Sequence, residues 1–235
     1  MNMGISNPGM RINKSFLRTD PEVVELFRDA PTANIADVTG RLFAMDARIS
    51  PMGKAKKLLG QALTVRSSIA DNFIFHKALS LAQPGDVIVV NACGDTNHSI
   101  CGDVMFRFAI SRGVAGIVVD GCIRDLDFLL ESDFPVFAIG ATPRGPYKNP
   151  VGEVNTDIAC GGQVIHPGDI IVGDVDGVVV VPQQDALVIH QKLAEVQAKE
   201  EKMGRMIDEG RWEEESPILT MVNQEIQRLG FEVNE

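Results

Sequence analysis

The chain has 235 residues, and its 22 Lys and Arg against 32 Asp and Glu give a formal net charge of −10. This acidic balance argues against nonspecific binding to nucleic acid or to an anionic membrane, because both need clustered basic side chains. The 45% hydrophobic and 23% charged residues are typical of a folded globular protein. Residues 1–18 lack the apolar core of a signal peptide and no apolar run could span a bilayer, so we expect a cytoplasmic protein.

The first sixty residues or so favour two helices. Pro21 opens the first, which covers Glu22 to Asp29, and Pro31 closes it, since proline starts helices but cannot continue them. A second helix is predicted from Thr32 to Phe43 or Met45.

From Gly60 onward the pattern alternates between strands and helices. The predicted strands are Ala62–Ser67, Val87–Val90, Ala115–Asp120 and Pro135–Ile139, and the predicted helices run from Asp71 to Leu81, through Val104–Ala109 to Gly113, and from Arg124 onward. Unbroken β-branched runs are typical of strands buried on both faces. The alternation therefore predicts right-handed crossovers and a parallel sheet.

After Pro146 the pattern is all-β and then helical. Short strands separated by glycine- and aspartate-rich turns are predicted at Val154–Ala159, Gln163–His166, Asp169–Val172 and Gly177–Val181. A long helix follows over about 184–208. We expect one α/β domain with a β-rich second half and helical ends.

The cysteines and histidines point to no metal cluster. Cys93, Cys101, Cys122 and Cys160 form no C-x-x-C pair, so we expect reduced, mostly buried thiols. The four histidines form no H-E-x-x-H, which argues against a zinc site of the structural or protease type.

Two polar segments follow neighbouring predicted parallel strands, where open α/β sheets build ligand sites. One carries Gly102-Asp103 and the other carries Arg124-Asp125. Arg124, at a predicted helix start, suits an anion, and Asp125 suits a hard cation such as Mg²⁺. A 2-oxo acid fits this pair, but a helix-capping aspartate beside a surface arginine fits it as well.

Two further acidic residues have alternative interpretations. Asp103 stands four residues before Arg107, which is the spacing of a helical ion pair. Glu200 falls within the apolar stripe Ile189, Leu193, Val196, Met203 and Ile207 of the long helix. A carboxylate is costly to bury unpaired, so Glu200 either finds a partner, reaches a neighbouring subunit's site or lies at the edge of the stripe.

The segment Pro143–Asn149 is the third polar feature. It holds the only tyrosine, Tyr147, among basic and polar residues. Such a segment could line a site for a polyanionic acid or could be an ordinary surface loop.

These motifs carry a resemblance to a known family. The chain resembles the 4-hydroxy-4-methyl-2-oxoglutarate / 4-carboxy-4-hydroxy-2-oxoadipate aldolases, which share their fold with the regulator of ribonuclease E activity A. The similarity spans about Pro31 to Gly210, with an unassigned extension over 211–235. Its motifs are Gly102-Asp103, Gly116–Gly121 leading into Arg124-Asp125, Pro167–Asp169, Gly173-Asp174 and Asp176–Pro182.

The resemblance implies a swivelling β/β/α domain that forms homotrimers or homohexamers and binds Mg²⁺, Mn²⁺ or another divalent cation. It implies that Arg124 binds the substrate and that Asp125 ligates the metal, while Asp103 holds metal-bound water. The pyruvoyl pocket would be lined by the backbone of Gly102, Asp103, Val104 and Met105. Glu200 matches an acidic residue that these aldolases supply from a neighbouring subunit.

The expected function is a metal-dependent pyruvate aldolase that also decarboxylates oxaloacetate, with a small keto acid as its ligand and neither nucleic acid nor membrane as a partner. The long helix favours this branch of the family. The alternative is a ring-shaped protein inhibitor of a ribonuclease, without catalysis.

Overall fold

The computed structural model describes residues 7–232. Its strands are β1 (Met10–Ile12), β2 (Ser50–Pro51), β3 (Leu58–Arg66), β4 (Asp86–Ser99), β5 (Gly116–Ile123), β6 (Val136–Ala141), β7 (Gly152–Val154), β8 (Ile158–Cys160), β9 (Gln163–Ile165), β10 (Ile170–Asp174) and β11 (Gly177–Val181). Its helices are α1 (Pro21–Glu25), α2 (Thr32–Val38), α3 (Phe73–Leu81), α4 (Asp103–Ser111), α5 (Leu126–Glu131), α6 (Ala186–Asp208), α7 (Trp212–Glu215) and α8 (Pro217–Leu229).

Four adjacent parallel strands, β3, β4, β5 and β6, form the centre of the main sheet. Their register aligns Thr64 with Val89, Val89 with Val118 and Val118 with Phe137. The crossovers between them are the helices α3, α4 and α5, as the alternating pattern predicts. Antiparallel pairing of β7 and β10 with β3, and of β2 with β6, widens the sheet.

The two faces of this sheet are covered by different layers. On one face, Ile88, Val90 and Ile117 pack with residues of the helices, including Phe75 and Phe106. On the other face, alternate residues of the same strands form a second cluster with the β-rich segment. That cluster contains Val87, Val89, Val118, Phe137, Ile158, Ile165, Ile171 and Val178. The layers are therefore strand, strand and helix, which confirms the predicted β/β/α architecture.

Several predicted boundaries are wrong. The second helix stops at Val38 because Gly40 and Arg41 adopt positive φ, which ends a right-handed helix. β4 does not stop at Val90 but continues irregularly to Ser99, with register shifts against β5. The strand predicted at Val154–Ala159 is two strands, since Asn155 has φ 54° and breaks the extended chain.

By compactness the chain divides into two units, residues 1–190 and residues 191–235. The parallel sheet and both apolar clusters belong to the first unit. The second unit contains most of α6 together with α7 and α8. No helix within residues 7–232 combines the length and the apolar character that crossing a bilayer requires.

Candidate active site

The two segments that follow β4 and β5 lie side by side. The N–H of Ile100 donates to the carbonyl of Cys122, and the N–H of Arg124 donates to the carbonyl of Cys101, each over 3.0 Å. These bonds continue the parallel pairing beyond the strands themselves. The sheet therefore brings Gly102-Asp103 and Arg124-Asp125 together at its carboxyl edge, as the sequence predicts.

Asp125 points toward the neighbouring segment and not toward its own helix. Its backbone is left-handed, with φ 61° and ψ 47°, so α5 begins only at Leu126, not at Arg124 as predicted. Its side chain makes no capping hydrogen bond within α5, and Oδ2 instead accepts from the N–H of Asp103 at 3.0 Å. Asp125 therefore occupies the N-cap position of α5 without capping that helix through its side chain, and its carboxylate bonds the first N–H of α4 instead.

Arg124 and Asp125 share the space that the missing side chain of Gly102 leaves. Arg124 Nε lies 3.6 Å from Asp125 Oδ2, and both side chains keep 46% and 39% of their surface exposed. A Cβ at residue 102 would stand 2.2 Å from Asp125 Oδ2 and 2.9 Å from Arg124 Cγ. Glycine is therefore required here by close approach. The ion pair is too exposed to stabilise the fold appreciably, so both groups are available to a ligand.

Asp103 is the first residue of α4 and forms the ion pair that its spacing predicts. Its Oδ2 lies 3.6 Å from Arg107 Nε, one helical turn away, and 41% of the side chain is exposed. The Arg107 guanidinium also lies 4.6 Å from the centre of the Phe128 ring. The ion-pair interpretation is thus confirmed, and the carboxylate still borders the site.

These residues line one cavity of about 200 Å³. Arg124, Asp125 and the whole run Gly102, Asp103, Val104 and Met105 line it. The remaining lining residues are Asn72, His76, Ile100, Cys101, Pro146 and Lys148. A second cavity, of about 320 Å³, shares Arg124 and Asp125 and is bounded by Ala141, Thr142 and Pro143.

The N-terminal turn of α3 contributes two residues that the sequence analysis missed. Asn72 is buried, and its Nδ2 donates to the carbonyl of Ile100 at 2.9 Å, while its Oδ1 has no hydrogen-bond partner. Partial burial and then the positive charge of Lys148 lower the pKa of His76. Both effects favour the neutral imidazole. The polar Asp71-Asn72 pair directly before the helix was the available signal for Asn72.

The segment Pro143–Asn149 does line the site, through Pro146 and Lys148. Buried Asp71 holds this segment in place, because its Oδ2 accepts a hydrogen bond from the N–H of Asn149 at 2.5 Å. Tyr147 is 62% exposed, and its ring lies 5.7 Å from that of His98, outside the cavity lining. Of the two interpretations of this loop, lining a cavity fits Pro146 and Lys148, whereas an ordinary surface position fits the tyrosine.

The cysteines are free, and three of the four are buried, as predicted. Cys101 lines the cavity, but burial raises the pKa of its thiol far above neutrality. It is therefore a protonated thiol and a poor nucleophile.

The donor set at the site suits a hard cation that keeps most of its water. Within residues 7–232, no three His, Cys, Asp or Glu side chains are grouped to hold a metal ion. Mg²⁺, however, is commonly held by one or two carboxylates plus water and substrate oxygens. Asp125 and Asp103 offer two partly exposed carboxylates beside the cavity, and this is the chemistry that such an ion requires.

Glu200 lies on α6 in the second unit, and its side chain is exposed. The predicted stripe is correct at Ile189 and Leu193, which are buried, but Met206 is buried in place of Ile207, which is 56% exposed. The helical period does not explain this shift, because Ile207 stands eighteen residues, or five full turns, after Ile189. The cavity described above is lined entirely by residues of the first unit.

The comparison with known proteins identifies the family. A family model described as "RraA-like: Aldolase/RraA" matches residues 32–180, more than half of the chain. A protein of Halalkalibacterium halodurans, named "Putative 4-hydroxy-4-methyl-2-oxoglutarate aldolase", is 39% identical over 188 residues, which are 80% of this chain and 90% of that protein. The chain therefore belongs to the Aldolase/RraA family.

Solved structures of the family have a similar fold. The RNA-processing inhibitor RraA from Thermus thermophilis is similar with a TM-score of 0.61 at 28% identity, over 66% of this chain and 93% of its own. RraAS2 of Streptomyces coelicolor, described as an unusual member of the RNase ES inhibitor RraA protein family, gives 0.69 at 30% identity, over 82% of this chain and all of its own. Because RraAS2 aligns with 82% of this chain, the length of the chain does not by itself distinguish the aldolases of the family from its ribonuclease inhibitors.

Proposed function

We propose that the protein is a divalent-metal-dependent lyase that cleaves 4-hydroxy-4-methyl-2-oxoglutarate or 4-carboxy-4-hydroxy-2-oxoadipate to pyruvate and a second keto acid. Decarboxylation of oxaloacetate would be a second activity of the same site. The main observation that supports this proposal is that Arg124, Asp125 and the first turn of α4 line one cavity of about 200 Å³. The 39% identity to a protein named as such an aldolase supports the choice of reaction.

Arg124 would bind the oxo and carboxylate oxygens of the substrate. Cleavage of the C3–C4 bond leaves its electron pair on the pyruvate fragment, and the negative charge develops on the C2 oxygen. A guanidinium already held at that position stabilises this charge without reorganising. The same enolate forms when oxaloacetate loses carbon dioxide, so one site would serve both reactions.

Asp125 would hold the metal, which when bound supplies Lewis-acid polarisation of the substrate carbonyl. The hydrogen bond from the N–H of Asp103 fixes one carboxylate oxygen of Asp125 and leaves the other for a cation. The proton of the C4 hydroxyl must also leave during aldol cleavage. Asp103, at the cavity edge, would orient the water that accepts this proton, together with Glu200 if a second copy of the chain supplies it.

A coupled lactate dehydrogenase assay tests the proposal. Pyruvate release would be measured from oxaloacetate and a panel of 4-hydroxy-2-oxo acids, with Mg²⁺ or Mn²⁺ and after EDTA treatment. Metal-only samples control for spontaneous decarboxylation. We expect activity that EDTA abolishes and that added metal restores. Undiminished activity in EDTA, or a pyruvate–lysine adduct trapped by borohydride, would contradict the mechanism.

Arg124→Ala tests the role of the guanidinium. Loss of a preorganised partner for a developing oxyanion costs on the order of 10²–10³ in rate. An effect smaller than about threefold would remove Arg124 from its proposed role.

The second candidate is inhibition of a ribonuclease. The names of two structural neighbours and the net charge of −10, which suits docking to a basic RNA-binding enzyme, favour it. Dose-dependent inhibition of purified ribonuclease E by the protein, unchanged by Arg124→Ala and without pyruvate release in the assay above, would select this function.

A further inference from the structure

Lys148 gives the cavity a second cationic group. Lys148, an exposed residue, and Arg124 line the same cavity but come from segments that follow different strands, Lys148 lying between β6 and β7. His76 lines the same cavity, and its pKa is lowered first by partial burial and then by the charge of Lys148.

The backbone on both sides of Lys148 is fixed in place. Before it, the N–H of Tyr147 donates to the carbonyl of Ala70 at 2.7 Å, and the carbonyl of Tyr147 accepts from Asn72. After it, the N–H of Asn149 donates to Asp71. Asp71 is fully buried, and its other oxygen accepts from the N–H of Phe73 at 2.8 Å. The ammonium group therefore extends from an anchored segment, which lowers the entropy that a ligand must offset.

Within residues 7–232, Lys148 forms no salt bridge, so its charge is available to a second anion. Arg124 is adjacent to Asp125, and Arg107 is adjacent to Asp103. A substrate carboxylate and oxo group at Arg124 would use that side of the cavity. His76, which lines the same cavity, adds a hydrogen-bonding imidazole whose lowered pKa favours the uncharged form.

We propose that Lys148, assisted by His76, binds the second carboxylate of a dicarboxylic 4-hydroxy-2-oxo acid and so selects dicarboxylates over monocarboxylates. This inference rests on the proposed function and specifies its substrate class. Asp71 is a positioning residue in this scheme, since it acts only through the segment that carries Lys148.

A matched pair of substrates tests the proposal. 4-Hydroxy-4-methyl-2-oxoglutarate would be compared with 4-hydroxy-4-methyl-2-oxopentanoate, in which a methyl group replaces the second carboxylate. Breaking C3–C4 and moving the hydroxyl proton to C3 yields two pyruvates from the first, and pyruvate plus acetone from the second. We expect Lys148→Met to lower kcat/KM about 10–100-fold for the dicarboxylate, as for a lost hydrogen bond to a charged group. The monocarboxylate should change less than about threefold.

Two more variants make the result specific. Lys148→Arg should retain most of the preference for the dicarboxylate, because the charge remains. Arg144→Gln removes a positive charge from the same loop at a residue outside the cavity lining, so it should leave the preference unchanged. Inhibition by pyruvate should be equal in all variants, since pyruvate lacks the second carboxylate.

The outcomes separate the two proposals. Suppose that the wild type is active on both substrates and that Lys148→Met lowers kcat/KM by the same factor on each, or on neither. That result would overturn the Lys148 subsite and leave the proposed function standing. A wild-type protein inactive on every oxo acid, with metal present, would overturn both.

Discussion

The carboxylate of Asp125 accepts a hydrogen bond of 3.0 Å from the backbone N–H of Asp103, which lies twenty-two residues earlier in the chain. This bond joins the first turn of α4 to the residue before α5, across two neighbouring parallel strands. It fixes one oxygen of a partly exposed carboxylate. The site is thus organised by backbone geometry before any ligand arrives.

Asp125→Asn should separate the charge of this residue from its structural role. Asparagine keeps an oxygen for the N–H of Asp103 and tolerates the left-handed backbone at φ 61°. We therefore expect the free energy of unfolding in urea to change by less than about 1 kcal/mol. The affinity for Mn²⁺, measured by electron paramagnetic resonance, should fall at least tenfold, because an amide is a weaker ligand than a carboxylate.

Asp127→Asn is the matched control for that variant. Asp127 is exposed, stands two residues later and does not line the cavity. It should bind Mn²⁺ as the wild type does. Equal Mn²⁺ affinity in Asp125→Asn and the wild type would show that Asp125 is not a metal ligand.

Gly102→Ala should impair the site more than the fold. The added Cβ would meet Asp125 Oδ2 at 2.2 Å and Arg124 Cγ at 2.9 Å, so both side chains must move. Displacing a reacting group by about 1 Å can cost roughly 10² in rate. The two side chains are partly exposed and can shift toward solvent, so we expect only a small change in the urea midpoint. Wild-type kcat/KM in this variant would contradict the assigned geometry.

The sequence predicts the parallel sheet and the two polar segments at its carboxyl edge, because both follow from the strand pattern. The β-branched runs at Val87–Val90 and in β5 specify parallel strands, and parallel strands bring their carboxyl ends to one edge. Gly102-Asp103 and Arg124-Asp125 follow directly. Asn72, His76 and Lys148 could not be placed in this way. The two segments that carry them are joined by a hydrogen bond from Asn149 to Asp71, 78 residues apart in the chain.

The direction of the Asp125 side chain was also beyond sequence reasoning. An aspartate before a short helix ordinarily caps it, and here the left-handed φ of Asp125 turns its carboxylate toward another helix. The position of the apolar stripe on α6 failed for a different reason. Met206 and Ile207 are both apolar, and only packing decides which of them is buried.

Lys148→Met should raise the pKa of His76. In the wild type, partial burial and then the charge of Lys148 lower this pKa from 6.5, because both disfavour the imidazolium. Removing the charge leaves the effect of burial, so the pKa should rise but stay below 6.5. A chemical-shift titration of the His76 ring by NMR measures this directly.

The linked effect on stability has a defined sign. A histidine whose pKa is lower in the folded state makes the protein lose stability as pH falls through the window between the folded and unfolded values. That window should narrow in Lys148→Met and stay as in the wild type in Arg144→Gln. A His76 pKa that is unchanged or lower in Lys148→Met would place the ammonium away from the cavity.

Glu200→Gln should affect the two proposed reactions unequally. Aldol cleavage requires a base for the C4 hydroxyl proton, whereas decarboxylation of oxaloacetate has no such proton to remove. If Glu200 assists the base from a second copy of the chain, the coupled assay should show a loss of about 10²-fold in cleavage and a much smaller loss in decarboxylation. Glu201→Gln is the matched control, because Glu201 is exposed and pairs with Arg205 at 2.5 Å on the same helix. Equal losses on both substrates in Glu200→Gln would remove Glu200 from proton transfer, since a general defect in assembly or metal binding would slow both reactions alike.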